Sequence, residues 1–191
     1  NVHARAVQLG VDGGQAVTID GGVRNSGSIT AQGTNSDATA IEFKSGVTTP
    51  TLLNDKGAVI TAQSATDKAS ATTAIHIGSG ANLGSLTNNG NIIATSSGGK
   101  GNATAILDQS GSLGSLTNTR GIQAAIQPNA DNDPVTGKAV AIDVSANTTG
   151  FSLVQNGITS TGGNIGDSGG DEVRDADEPY IIGDIRLGSG S

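Results

Sequence analysis

Apolar and polar positions alternate along this chain in a five-residue phrase that keeps returning. It reads Ala74-Ile75-His76-Ile77-Gly78 in its clearest form. Related copies begin at Ala6, Ala40, Ala105, Ala141 and Asp184, and their β-branched residues are Val7, Ile41, Ile75, Ile106, Ile142 and Ile185. The steps between them are 34, 34, 31, 36 and 43 residues. Recurrence at such a period is the mark of a repeat architecture. Alternation with period two is a half-buried strand, and Val, Ile and Thr favour that pleated surface.

A second phrase accompanies the first. It runs from Val23 to Ala31, Leu53 to Ala62, Leu86 to Ala94, Leu116 to Ala124 and Leu153 to Ser160. Each copy has an alternating stretch, an Asn/Gly corner and another alternating stretch. Asn and Gly are expected there because both tolerate the left-handed backbone of a tight corner. A third element, Leu83-Gly84-Ser85-Leu86, returns at Leu113 and near Phe151. Each repeat therefore holds about three short strands. Frequent Gly and the lack of a persistent 3.6-residue stripe argue against helices.

The predicted fold is all-β: a right-handed parallel β-helix, or β-solenoid, of about five coils. Residues 1–191 form a single domain in this reading. Equivalent residues Ile41, Ile75, Ile106 and Ile142 should stack into an inward ladder at the ordinary strand spacing of about 4.8 Å. The arc from the first phrase to the second is nearly constant, with Ile158 taken as the last copy of the Ile122 position. The return arc lengthens toward the C-terminus, so loop insertions are expected on one face, at residues 127–137 and 161–179. The residues Asn1 to Arg5 already lead into a copy, so the chain is expected to be a segment of a longer protein.

Composition narrows the function classes. Aromatics are 2% of residues, charged residues are 14%, and there is no Cys, Met or Trp. Ala, Val, Ile and Leu can fill a narrow regular core but not a bulky one. The net charge of −7 argues against nucleic acid, which wants clustered Lys and Arg. No apolar run approaches the roughly 18 residues of a membrane helix, so no membrane insertion of this segment is expected.

Asn88-Asn89-Gly90-Asn91-Ile92-Ile93-Ala94, Ala103-Thr104-Ala105-Ile106 and Gly183-Asp184-Ile185-Arg186-Leu187-Gly188 resemble repeat units of bacterial autotransporter passenger domains. The resemblance covers nearly the whole chain. It implies a segment displayed on, or released from, a Gram-negative cell surface, acting as an adhesin or structural spacer. It carries over no catalytic residue, because no catalytic motif of the family is present.

The chemistry-bearing candidates are few. Asp167, Asp171, Glu172, Asp175, Asp177 and Glu178 cluster among glycines. Hard cations such as Ca²⁺ take carboxylate and carbonyl oxygens from flexible loops, so a calcium loop is one reading. A solvated acidic loop is the other. Asp131 and Asp133 pose the same choice. His76 sits in an alternating strand, where a solvent-facing position accounts for it. No Cys/His cluster for zinc and no Gly-x-Ser-x-Gly elbow appears. Thr39, Thr73 and Thr104 precede the Ala-Ile pair and should form a short threonine ladder, interrupted at Val140.

These features point to a non-enzymatic extracellular surface segment. It could associate with itself through the open β-helix ends or sides, or contact a cell-surface glycan or protein. A polysaccharide-active β-helix and an ice-binding solenoid are the alternatives. The first requires acidic side chains converging in a groove, the second a flat exposed Thr face.

Overall fold

The computed structural model describes residues 3–65, 68–131, 133–157 and 178–190. The described residues form strands and turns and contain no helix. All strand pairings are parallel, and three sheets enclose one core. The first sheet stacks β1 (Ala4–Leu9), β5 (Ala38–Phe43), β8 (Ala71–Ile77), β11 (Asn102–Asp108), β14 (Ala139–Asp143) and β17 (Asp184–Arg186). The second stacks β2 (Val17–Thr18) and β3 (Val23–Asn25) beside β6 (Val47–Asn54), then β9 (Asn82–Asn88), β12 (Ser115–Asn118) and β15 (Ser152–Gln155). The third stacks β4 (Ser28–Thr34), β7 (Val59–Ala65), β10 (Asn91–Ser97), β13 (Gly121–Gln127) and β16 (Tyr180–Ile182).

The protein is thus a parallel β-solenoid with one strand per side per winding. In the first winding the second side is broken into the short β2 and β3. The regular column amounts to about four turns, slightly fewer than the five expected.

Register explains the core. Val7, Ile41, Ile75, Ile106, Ile142 and Ile185 are directly paired along the first sheet. Val23, Leu52, Leu86, Leu116 and Leu153 are paired along the second. Ile29, Ile60, Ile92, Ile122 and Ile181 are paired along the third. The interior members of all three ladders, from Ile41 to Ile142, are at most 1% exposed. Burying such a side chain fully contributes about 1.5–3 kcal/mol. A winding alone closes no core, so stability grows by stacking.

The corners obey different rules. At the first corner Gly46, Gly80 and Gly111 adopt φ of +82°, +80° and +71°, a left-handed backbone that glycine enters without steric cost. The Asn/Gly corner between the second and third sheets differs from the expectation. Asn25, Asn54, Asn88 and Asn118 are not left-handed; Asn35 is the only non-glycine with positive φ among the described residues. Asparagine is there for its amide. Each Nδ2 donates to the next Oδ1 at 2.8 Å, from Asn25 to Asn54 to Asn88 to Asn118. The Asn118 amide reaches Gln155 Oε1 at 3.4 Å. Asn54, Asn88 and Asn118 are 0% exposed.

The two insertions interrupt different corners. Residues 127–137 lie at the third corner, between β13 and β14. Thr136 and Gly137 donate their N–H groups to Gly99 O, which seats this loop on the winding before it. The longer insertion falls at the second corner, between β15 and β16. The partner of Ile122 is Ile181, not Ile158, and only Gly183 separates β16 from β17. Residues 158–177 lie outside the described residues.

Candidate functional site

The outer face of the first sheet gathers most of the charge chemistry. In β5, consecutive Ala40 and Ile41 are both fully buried, which straight alternation forbids. The register passes over Ala40, Ala74 and Ala105, and the chain bends there. Two outward rows flank this bend. One is Arg5, Thr39, Thr73, Thr104, Val140 and Asp184. The other is Gln8, Glu42, His76, Leu107, Asp143 and Arg186.

At the N-terminal end of this face the rows meet around Glu42, which is 3% exposed. Arg5 Nε donates to Glu42 Oε2 at 2.5 Å across the bend. Lys44 Nζ lies 3.0 Å from Glu42 Oε1 and 3.1 Å from Asp12 Oδ2. Burial pushes the Glu42 carboxyl up, but the Lys44 hydrogen bond and the Arg5 charge outweigh it and hold the group below its ordinary value. The same hydrogen bonds from Glu42 and Asp12 raise Lys44. His76 Nδ1 is 3.4 Å from Glu42 Oε1, and its Nε2 is 2.9 Å from Gln109 Oε1. His76 therefore faces outward as expected, but as part of this network. His3 Nε2 contacts Thr39 Oγ1 at 2.8 Å, and burial together with Arg5 lowers its pKa.

Further along the face is an open groove of about 360 Å³, lined by Thr73, Thr104, Leu107, Lys138, Asp143 and Arg186. Asp143 Oδ1 accepts from Ser145 N and Oγ, and its Oδ2 meets Arg186 Nη1 at 3.3 Å. Lys138 comes from the end of the 127–137 insertion. The groove offers hydroxyls, two cations and a carboxylate whose oxygens are already engaged. Glu42 and Asp143 lie in one row but three strand steps apart, about 14 Å at the ordinary spacing. Paired carboxylates for glycoside hydrolysis stand about 5–9.5 Å apart.

The threonine ladder exists in register, yet Thr39 and Thr73 are only 3% and 6% exposed. A flat ice-facing rank needs them open to solvent. On the third sheet, a second groove of about 250 Å³ is lined by Gln32, Gln63, Ser64, Thr95, Ser97 and Gln127. It is a neutral amide and hydroxyl surface, stitched by Gln32 to Gln63 and Ser97 to Gln127.

The acidic candidates separate. Asp167, Asp171, Glu172, Asp175 and Asp177 lie outside the described residues. Among the described residues no three His, Cys, Asp or Glu gather as a cation site. Asp133 instead pairs with Asn129, whose amide closes the 127–137 insertion at 2.9 Å in both directions. Besides Glu42, a second buried carboxylate not singled out from the sequence is Asp108, 1% exposed. Its oxygens accept from Ser110 N and Oγ, Gly111 N and Leu113 N, so it caps a corner.

Fold and outer face together define a parallel β-solenoid with an internal amide ladder and a charged groove along one side. No family model matches the chain, and no curated protein or solved structure matches it.

Proposed function

We propose that this chain is a non-enzymatic extracellular surface segment, a stiff spacer or adhesin module that holds its loops and grooved face at a fixed spacing. The observation that carries this reading is the run of four in-register ladders, three aliphatic and one amide, through successive windings. Such a column resists bending and shear because every winding is hydrogen-bonded and packed to its neighbours. The resemblance of its repeat phrases to autotransporter passengers supports a place at a Gram-negative surface, outer-membrane displayed or secreted. A cell-surface glycan or protein is the partner class, met by the loops and the hydroxyl-rich grooves.

Pulling the chain by its termini in a force spectrometer tests the mechanical part. A spacer should resist and then release coil by coil, each step freeing about 115 Å for 34 residues. Smooth extension at low force would refute it. Binding to glycan and surface-protein arrays, with the 127–137 loop intact or shortened, tests the adhesive part.

A further inference from the structure

We propose that the groove on the outer face of the first sheet is a saccharide subsite for a singly charged acidic sugar, one that carries a carboxylate on its ring. This rests on the glycan partner class proposed above and names the chemistry that the groove selects.

The 127–137 insertion supplies what the repeat does not. Thr136 and Gly137 donate their N–H groups to Gly99 O, and a Cβ on Gly137 would stand 2.0 Å from Gly101 O, so backbone packs on backbone there. Lys138 follows at once, and its N–H donates to Asn102 Oδ1 at 2.9 Å. The insertion thus delivers an exposed cation to the groove at a fixed point. Lys138 Nζ pairs with no carboxylate among the described residues.

The charge balance of the lining selects the ligand. Arg186 gives one donor to Asp143 Oδ2 at 3.3 Å, and a guanidinium carries five. Two cations against one carboxylate leave the lining one positive charge, on a chain whose net charge is −7. A ring carboxylate brings one negative charge, whereas a phosphate monoester brings nearly two. Asp184 stands one strand step beyond Val140 in the threonine row and does not line the groove. A polyanion laid along this face would meet it.

Leu107 is the second sign. It is half-buried, and every other member of its outward row, from Gln8 to Arg186, is polar or charged. An aliphatic side chain here offers a surface to the C–H face of a pyranose ring. The Thr104 hydroxyl and the Asn102 Nδ2 line the same groove and suit ring hydroxyls. An apolar patch with a few polar groups in about 360 Å³ lies within the range of small-ligand sites. Another winding stacked on β17 would pair with its strand edge and leave this outward face open.

Amide NMR of the isotope-labelled chain, titrated with methyl β-glucuronide and in parallel with methyl α-N-acetylneuraminide, tests the site. Saturable shifts at Thr104, Leu107, Lys138 and Asp143 with either sugar support it and say which carboxylated ring it prefers. The uncharged methyl ester of the glucuronide should bind about tenfold more weakly, the worth of one charge-assisted hydrogen bond. Lys138→Gln should weaken binding by the same factor. Lys56→Gln, at the exposed second corner, should change nothing. If acetate binds the same amides as tightly as the sugar, the groove holds an adventitious ion only and the proposal fails. No saturation at tens of millimolar, equal binding of the ester, or an unaffected Lys138→Gln chain would also overturn it. These failures leave the spacer reading standing, since force decides that one. Array hits on neutral glycans or proteins alone would keep the adhesin reading and drop this subsite.

Discussion

Removing one rung of the buried amide ladder should destabilise the whole column, and Asn88 is the rung to remove. Its Oδ1 accepts from Asn54 Nδ2 at 2.8 Å, and its Nδ2 donates to Asn118 Oδ1 at 2.8 Å and to Gly121 O at 3.1 Å. Asn88→Ala deletes all three. At about 0.5–1.5 kcal/mol net for each, the sum is roughly 1.5–4.5 kcal/mol. The groups left behind decide where in that range the value falls. Asn54 Nδ2 keeps Asn91 O at 3.3 Å, and Asn118 Oδ1 keeps Arg120 N at 3.4 Å. Both are long, so neither partner is well satisfied at a position 0% exposed. The expected loss is therefore about 2–4 kcal/mol, which for a chain of this size lowers Tm by about 4–16 °C. Urea unfolding followed by far-UV circular dichroism measures it. Gln32→Ala is the control: it removes the exposed Gln32–Gln63 amide contact at 3.1 Å and should change stability by no more than about 0.5 kcal/mol. The Asn54→Ala and Asn88→Ala pair should couple by about 0.5–3 kcal/mol. If Asn88→Ala costs no more than the control, or if the two asparagines add independently, the ladder is not a stabilising unit.

Other outcomes follow from single contacts. Thr72 stands in an inward row with Ala38, Ala103 and Ala139, and its buried Oγ1 has no protein partner. Thr72→Val keeps the shape and should raise stability by about 1 kcal/mol in thermal or urea unfolding. Gly90→Ala would place a Cβ 2.1 Å from Ala58 O and should misfold or lose several °C, whereas Gly27→Ala, which meets nothing within 4 Å, should be tolerated. Glu42→Gln should cost about 2–4 kcal/mol at neutral pH, since it strips the charge shared by Arg5 and Lys44. Glu42 is held below its ordinary 4.5 in the folded chain, so its contribution is full above that value and vanishes as pH falls through the lower, folded one. His3 is lowered from 6.5, so the unfolded chain binds its proton first and stability drops as pH falls below 6.5. A pH titration of Tm should therefore show both slopes in the native chain. The acid slope should shrink in Glu42→Gln, and the one below 6.5 should shrink in His3→Gln.

The sequence carried the fold because the fold is periodic. A ladder of β-branched residues every 31–36 positions can only be satisfied by stacking, and its register is written in the spacing. Where the period broke, so did the reading. Ile158 has the right neighbours and the right distance from Ile142, yet the ladder position goes to Ile181. Local pattern does not distinguish a true rung from a similar dipeptide before an insertion, because pairing is decided by the adjacent winding. The Asn positions were legible as corners, but their reason was not. A residue that tolerates an unusual backbone and one that hydrogen-bonds its own copy leave the same letter in the sequence. The Glu42 network was hidden for another cause. Arg5, Glu42, Lys44 and His76 are scattered along the chain as ordinary strand polar residues, and only the bend at Ala40 folds one outer row toward the other. The available signal was the column between the two apolar residues of the phrase, which reads Gln8, Glu42, His76, Leu107, Asp143 and Arg186.

That column also shows how this architecture divides its labour. Inward positions repeat a narrow choice of residues, because each side chain must fit the copy above and below it at about 4.8 Å. Outward positions vary freely, and charge can accumulate there only if neighbouring windings supply the counter-charge. Glu42 has Arg5 from the winding before it and Lys44 from its own. Asp143 has Arg186 from the winding after it. The opposition of charge across successive windings is thus already the rule inside the column.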